Sequence, residues 1–269
     1  MLSDAGATML ARVGFAARGL VYLLIGWFAV DAALRGGETA DNQGAIGSLA
    51  DESYGPALLA VVALGLFGYA LWRLTEAAAG PAGMRHDGKA NFKRLGHAIS
   101  GIAHLVLAWT ATKLALRAGG SGADASPGDE AARDWTTWLL SQPLGQLLVG
   151  IVAIGFIAAA LQQAKRAWKA DFVDELAGDT PTPGYVCTAG RIGYAARGIV
   201  FAVIAGFFVL AAWRSEAEQA GGMADALGTL QDQPGGQFML VAMGAGLALF
   251  GVFSFVEAKY RRIRVRLPG

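Results

Sequence analysis

Charge is scarce in this sequence, and the scarcity is uneven. Asp, Glu, Lys and Arg together make up 16% of 269 residues, where soluble domains carry roughly 25%. One cysteine, Cys187, is present, which excludes an internal disulfide and a Cys-x-x-Cys redox or metal pair. With three histidines, the chain has little equipment for proton transfer. It also lacks a Gly-rich phosphate loop, a Gly-x-Ser-x-Gly elbow and a His-Glu-x-x-His helix. No catalytic residue, metal ligand or cofactor is expected, and the chain does not read as an enzyme.

What is abundant is apolar surface. Apolar residues make up 54% of the chain and mean hydropathy is +0.42. Six nearly uncharged runs stand out: residues 13–34, 56–78, 95–116, 144–163, 192–213 and 236–256. A bilayer core of about 30 Å takes about 20 helical residues to cross, and each run is of that length. The first is longer than a signal-peptide apolar core, so no cleaved signal is expected. Prolines 56, 143 and 234 fall at the starts of runs, where a missing N–H does no harm.

The connections alternate in sign. Arg85, Lys89, Lys93 and Arg94 follow the second run, and Lys165, Arg166, Lys169 and Arg191 follow the fourth. Lys259, Arg261, Arg262, Arg264 and Arg266 follow the sixth. The other connections are acidic, with Glu38, Asp41, Asp51 and Glu52, then Asp124, Asp129, Glu130 and Asp134, then Glu216, Glu218, Asp225 and Asp232. Basic residues beside spans mark the cytoplasmic side, so the expectation is a bacterial inner-membrane protein with both termini cytoplasmic. The basic tail is assigned to anionic lipid headgroups and not to nucleic acid; a membrane-protein partner is left open.

The runs also repeat. Odd ones open with Arg12-Val-Gly-Phe-Ala-Ala-Arg-Gly19, Arg94-Leu-Gly-His-Ala-Ile-Ser-Gly101 and Arg191-Ile-Gly-Tyr-Ala-Ala-Arg-Gly198. Ala45-Ile-Gly-Ser-Leu49 parallels Ala226-Leu-Gly-Thr-Leu230, and Pro143-Leu-Gly-Gln146 parallels Pro234-Gly-Gly-Gln237. Gly65, Gly155 and Gly246 then fall at matching depths. The chain divides into residues 1–11, three two-helix units at 12–80, 94–170 and 191–258, and a tail at 259–269. Each unit enters and leaves on one side, so the repeats are parallel, related by an axis along the membrane normal. The expected fold class is an all-α integral membrane protein, a compact six-helix bundle with pseudo-threefold symmetry. Stretches 44–49, 135–140 and 223–230 read as short amphipathic helices on the outer surface, with Trp135 and Trp138 suited to the interface.

The tripled opening resembles the family called domain of unknown function 1206, over about Arg12 to Lys259. That resemblance implies a six-helix membrane protein and no particular activity. Mitochondrial carriers also have three two-helix repeats, but their proline kink has no counterpart in Val30-Asp31-Ala32-Ala33-Leu34-Arg35.

The residues that stand out are charges inside the runs. Arg18 and Arg197 lie about 9 Å into their helices at 1.5 Å per residue, and a charge at depth needs a partner or a wet cavity. Glu76 and Glu257 are the candidate partners. In the middle unit Ser100 replaces the arginine and Arg166 replaces the glutamate. The first reading is an Arg–Glu clasp between helices; the second is binding of an anionic headgroup or solute. His97 and His104, seven apart on one helix face, match Phe15 and Tyr22, and Tyr194 and Phe201, so packing is the first explanation. A proton relay comes second and haem ligation third. For function, a structural, lipid-binding or partner-binding role stands first, and a channel or transporter along the pseudo-threefold axis is the alternative.

Overall fold

The computed structural model describes residues 4–36, 39–49, 54–79, 88–116, 127–176 and 183–262. Nine α-helices run through them: α1 (Asp4–Arg35), α2 (Asn42–Gly47), α3 (Gly55–Ala79), α4 (Gly88–Leu116), α5 (Pro127–Leu140), α6 (Gly145–Lys169), α7 (Gly184–Arg214), α8 (Met223–Gln231) and α9 (Gly236–Tyr260). Six are long and apolar enough to span a membrane: α1, α3, α4, α6, α7 and α9. In hydrocarbon every backbone polar group must be satisfied internally, which a continuous helix does. The helices outrun their apolar segments, because water at either end does not interrupt the hydrogen-bond ladder. α4 starts at Gly88 and α7 at Gly184, each a turn or two before its apolar residues begin.

The short helices α2, α5 and α8 each follow an odd span and gather at one end of the bundle, away from the basic connections. Their turns repeat as well as their helices. Leu144 and Gly235 hold the N-cap positions of α6 and α9 with left-handed φ of 63° and 78°. The next residues are Gly145 and Gly236, where an added Cβ would lie 2.6 Å from the carbonyl oxygens of Leu140 and Leu230.

Packing follows the threefold order, but chiefly between units. α3 lies along α4, α6 along α7, and α9 along α1. Each junction is made by the second glycine of the opening motif. An added Cβ at Gly19 would strike the Gly251 carbonyl at 2.9 Å, one at Gly101 the Leu74 side chain at 2.7 Å, and one at Gly198 would meet Gln163 at 3.4 Å. Small residues there let lipid-embedded helices approach closely.

Within units the symmetry breaks. Gly14 and Gly65 interlock α1 with α3, and Gly193 and Gly246 interlock α7 with α9. A Cβ at Gly65 would lie 2.9 Å from that of Ala17, and one at Gly246 2.7 Å from that of Ala196. The matching glycines of the middle unit, Gly96 and Gly155, have nothing within 4 Å of such a Cβ, and Leu95 and Ile99 are more than half exposed. α4 does not pack along α6. The six-helix bundle is therefore arranged as a C, in the order α4, α3, α1, α9, α7, α6, open between its two ends.

Candidate functional site

At the end of the bundle that carries the basic connections, side chains from α1, α3, α4, α6, α7 and α9 form one polar cluster. Its centre is Arg18. The guanidinium donates to Ser254 Oγ at 3.2 Å and Tyr69 Oη at 3.1 Å, and pairs with Glu257. It also stands over the rings of Phe15, Tyr69 and Phe250, at 4.8, 5.4 and 5.0 Å from their centroids. Such contacts are worth about 0.5–2 kcal/mol each, most when desolvated. Arg18 is 7% exposed and Glu257 1%, so the pair is shut away from water.

Of the two candidate carboxylates, Arg18 takes Glu257. Glu76 pairs instead with Arg73 at 3.0 Å, a residue three positions earlier on its own helix. Arg73 also donates to Tyr69 Oη at 2.8 Å and meets His97 Nδ1 at 2.8 Å, while His97 Nδ1 lies 3.4 Å from Glu76. His104 turns its Nδ1 to the Ser100 carbonyl at 2.7 Å and packs its ring on Tyr69, centroids 4.5 Å apart. The two histidines share a helix face but bind different partners, one ionic and one aromatic.

Arg166 and Arg261 complete the cluster. Arg166 donates to Tyr194 Oη and pairs with Glu175, both at 3.0 Å. Glu175 lies in a 3-10 turn, Asp171–Glu175, just past α6. Arg261 pairs with Glu257 and, at 2.7 Å, with Glu175. The chain after α9 is held there by the Arg262 N–H donating to the Glu175 carbonyl at 2.9 Å. The sequence counts Arg261 in a headgroup-facing tail; in the structure its side chain is 9% exposed and bonds inside the protein. Arg264 and Arg266 lie outside the described residues, as do Glu38, Asp51, Glu52, Arg85, His86 and Asp124.

Arg197 is the exception. It stands over Tyr22, Phe201 and Phe250 at 5.1, 5.2 and 4.4 Å from their centroids. Its buried Nε has no hydrogen-bond partner, and no carboxylate pairs with it among the described residues. The cluster thus sets five guanidinium groups, Arg18, Arg73, Arg166, Arg197 and Arg261, against three carboxylates, Glu76, Glu175 and Glu257.

Residues 13–80, 95–170 and 192–261 each match the family described as Domain of Unknown Function (DUF1206). The chain belongs to that family. One match falls on each two-helix unit, so the triplication read from the opening motif is the repeat of DUF1206 itself. The chain is similar to "Uncharacterized protein YxxB" of Bacillus subtilis (strain 168), 29% identical over 255 residues that cover 94% of this chain and 90% of that one. No solved structure matches.

Superimposing the DUF1206 repeats explains why Arg197 is alone. Glu257 serves Arg18 from the neighbouring unit across the α9–α1 junction. At the α6–α7 junction the position of Glu257 belongs to Arg166, and that of Ser254 to Gln163. The clasp is built once, at one junction, and at the next its acid has become a base. The sequence alone does not single out Arg73, a base near the end of the second run three residues before Glu76, or Glu175, one of the acids that follow the fourth run. A signal for Arg73 existed: it occupies the same repeat position as Ser254 and Gln163.

The opposite end carries a separate acidic group, one aspartate from each unit. Asp41 caps α2 by accepting from the Gly44 N–H at 2.7 Å. Asp129, on α5, accepts from the Asp225 N–H at 3.2 Å, and Asp225 pairs with Arg133 at 2.6 Å. Burial, with Asp225 and Asp41 nearby, pushes the Asp129 carboxyl up to about 6.

Proposed function

We propose that this DUF1206 protein is a membrane-embedded binding protein that holds an anionic amphiphile through the arginine cluster. The observation that carries the reading is the excess of five guanidinium groups over three carboxylates, with Arg197 facing aromatic rings and no acid. A cation at membrane depth with no acid partner is costly, and an arriving phosphate or carboxylate would relieve that cost with charge-assisted bonds.

The basic connections beside the cluster support a cytoplasmic position for it and for both termini, and the Bacillus relative supports a bacterial plasma membrane. A passage along the pseudo-threefold axis has less support. Beyond the cluster the bundle is packed with Val21, Ile25, Leu66 and Leu247, each 2% exposed or less.

Native mass spectrometry after mild-detergent release tests the reading. The wild type should retain an anionic lipid added as phosphatidylglycerol in preference to phosphatidylcholine. Arg197→Met should lower retention about tenfold, the ratio that ~1.4 kcal/mol produces. A wild type that holds neither lipid above background would overturn the proposal.

A further inference from the structure

We propose that the ligand's acyl chain lies between α4 and α6, in the mouth of the C, and that a phospholipid reaches the arginine cluster sideways through this opening. The proposal rests on the anionic-amphiphile reading above and goes on to say where the ligand sits and by which route it arrives.

The mouth results from specific deletions of volume. Tyr69 on α3 and Phe250 on α9 occupy matching repeat positions and wedge between the helices of their own units. An added Cβ at Gly193 would lie 2.7 Å from the Phe250 Cα, and one at Gly14 2.7 Å from the Gly65 carbonyl oxygen, beside Tyr69. The same position on α6 is Ala159. Opposite it, where the other units carry Arg18 and Arg197, α4 carries Ser100. Two large side chains are thus absent at one height from one hairpin, and its helices stand apart. Gly96 and Gly155, whose counterparts interlock, face open space.

The gap is apolar along its length and basic behind. Leu95 and Ile99, on either side of Gly96 along α4, and Ile151, one turn before Gly155 on α6, are all more than half exposed. Arg197 reaches the interior of the C, where it touches rings from α1 and α9. A lipid tail in the gap would bring a headgroup phosphate to the level of Arg197. Charge complementarity selects an anionic lipid over a zwitterionic one, and the apolar walls select a tailed molecule over free phosphate.

The test uses full-length protein in nanodiscs containing phosphatidylglycerol with a photoreactive diazirine in its acyl chain, and peptide mapping of the cross-links. The expected result is labelling on residues 95–103 and 151–159, falling about tenfold in Ala159→Phe, which installs the ring that unit three already carries. Gly155→Val is the second variant, since a Cβ there meets nothing within 4 Å, and should act in the same direction. If the labels fall on other helices, or both variants label like wild type, the gap is not the seat. Lipid retention lost in Arg197→Met would then still uphold the anion reading. Cross-links joining α4 and α6 of two copies would make the occupant a second chain and overturn the proposal. Retention of inorganic phosphate without lipid would overturn it too.

Discussion

Neutralising Glu257 should do more damage than removing Arg18, although the two form one ion pair. Glu257 is 1% exposed and holds two guanidinium groups, those of Arg18 and Arg261. Glu257→Gln leaves both without it. Arg261 keeps Glu175 at 2.7 Å, while Arg18 is left with two hydroxyls and three rings. Breaking a buried pair by removing one partner costs about 3–5 kcal/mol, because the remaining charge is uncompensated. Arg18→Met leaves Glu257 neutralised by Arg261, and loses mainly the bonds to Ser254 and Tyr69. At about 1 kcal/mol each, plus the ring contacts, the cost should be about 2–3 kcal/mol. The double variant Arg18→Met/Glu257→Gln removes both charges, so no uncompensated guanidinium is left at that position. It should therefore be more stable than Glu257→Gln alone, with a coupling energy of about 2 kcal/mol in a double-mutant cycle. Equilibrium unfolding in mixed micelles at rising SDS fraction, followed by tryptophan fluorescence, measures all four proteins. The reasoning fails if Glu257→Gln lies within about 1 kcal/mol of wild type, or if the two single costs simply add.

Two other perturbations follow from the packing and the acidic end. Gly193→Ala should destabilise by about 1–3 kcal/mol, since its Cβ would sit 2.7 Å from Phe250 backbone, while Gly96→Ala, at the same repeat position in open space, should be neutral or slightly stabilising; the same micelle assay separates them. For Asp129, whose carboxyl is raised from 3.8 to about 6, the folded state favours the protonated form. Its contribution is therefore full below about pH 4 and lost as pH rises through about 6. The thermal midpoint of wild type should fall over that window relative to Asp129→Asn, and parallel curves would refute the assignment.

The spans and their triplication could be read directly because both depend on composition and short motifs. A 20-residue apolar run has one physical solution in a bilayer, and Arg-x-Gly-x-Ala-x-x-Gly recurs without gaps. Partner choice was not legible. Glu76 and Glu257 occupy the same repeat position, and only the three-dimensional order of helices shows that Arg18 faces the neighbouring unit's acid. Nor was the open hairpin. Gly96 and Gly155 look as competent for close packing as Gly14 and Gly65; what this hairpin lacks is the interlocking bulk that the other units carry at the positions of Ser100 and Ala159, which matters only once the facing helices are known. His104 aligns with Tyr22 and Phe201, which suggests packing, and in the structure its ring lies on Tyr69. His97 meets Arg73 on another helix, a contact its alignment does not show.

The α9–α1 junction bears on how the protein is made. Glu257 follows Arg18 by 239 residues, so at about 5–20 residues per second the ribosome delivers the acid on the order of tens of seconds after the base. Throughout that interval α1 is a span with an unneutralised arginine. It must wait at the insertion machinery, hold its guanidinium up at the headgroups, or lean on a temporary escort. Assembly order is thereby tied to topology: the Arg18–Glu257 pair, and with it the finished α9–α1 junction, forms only once α9 has been made.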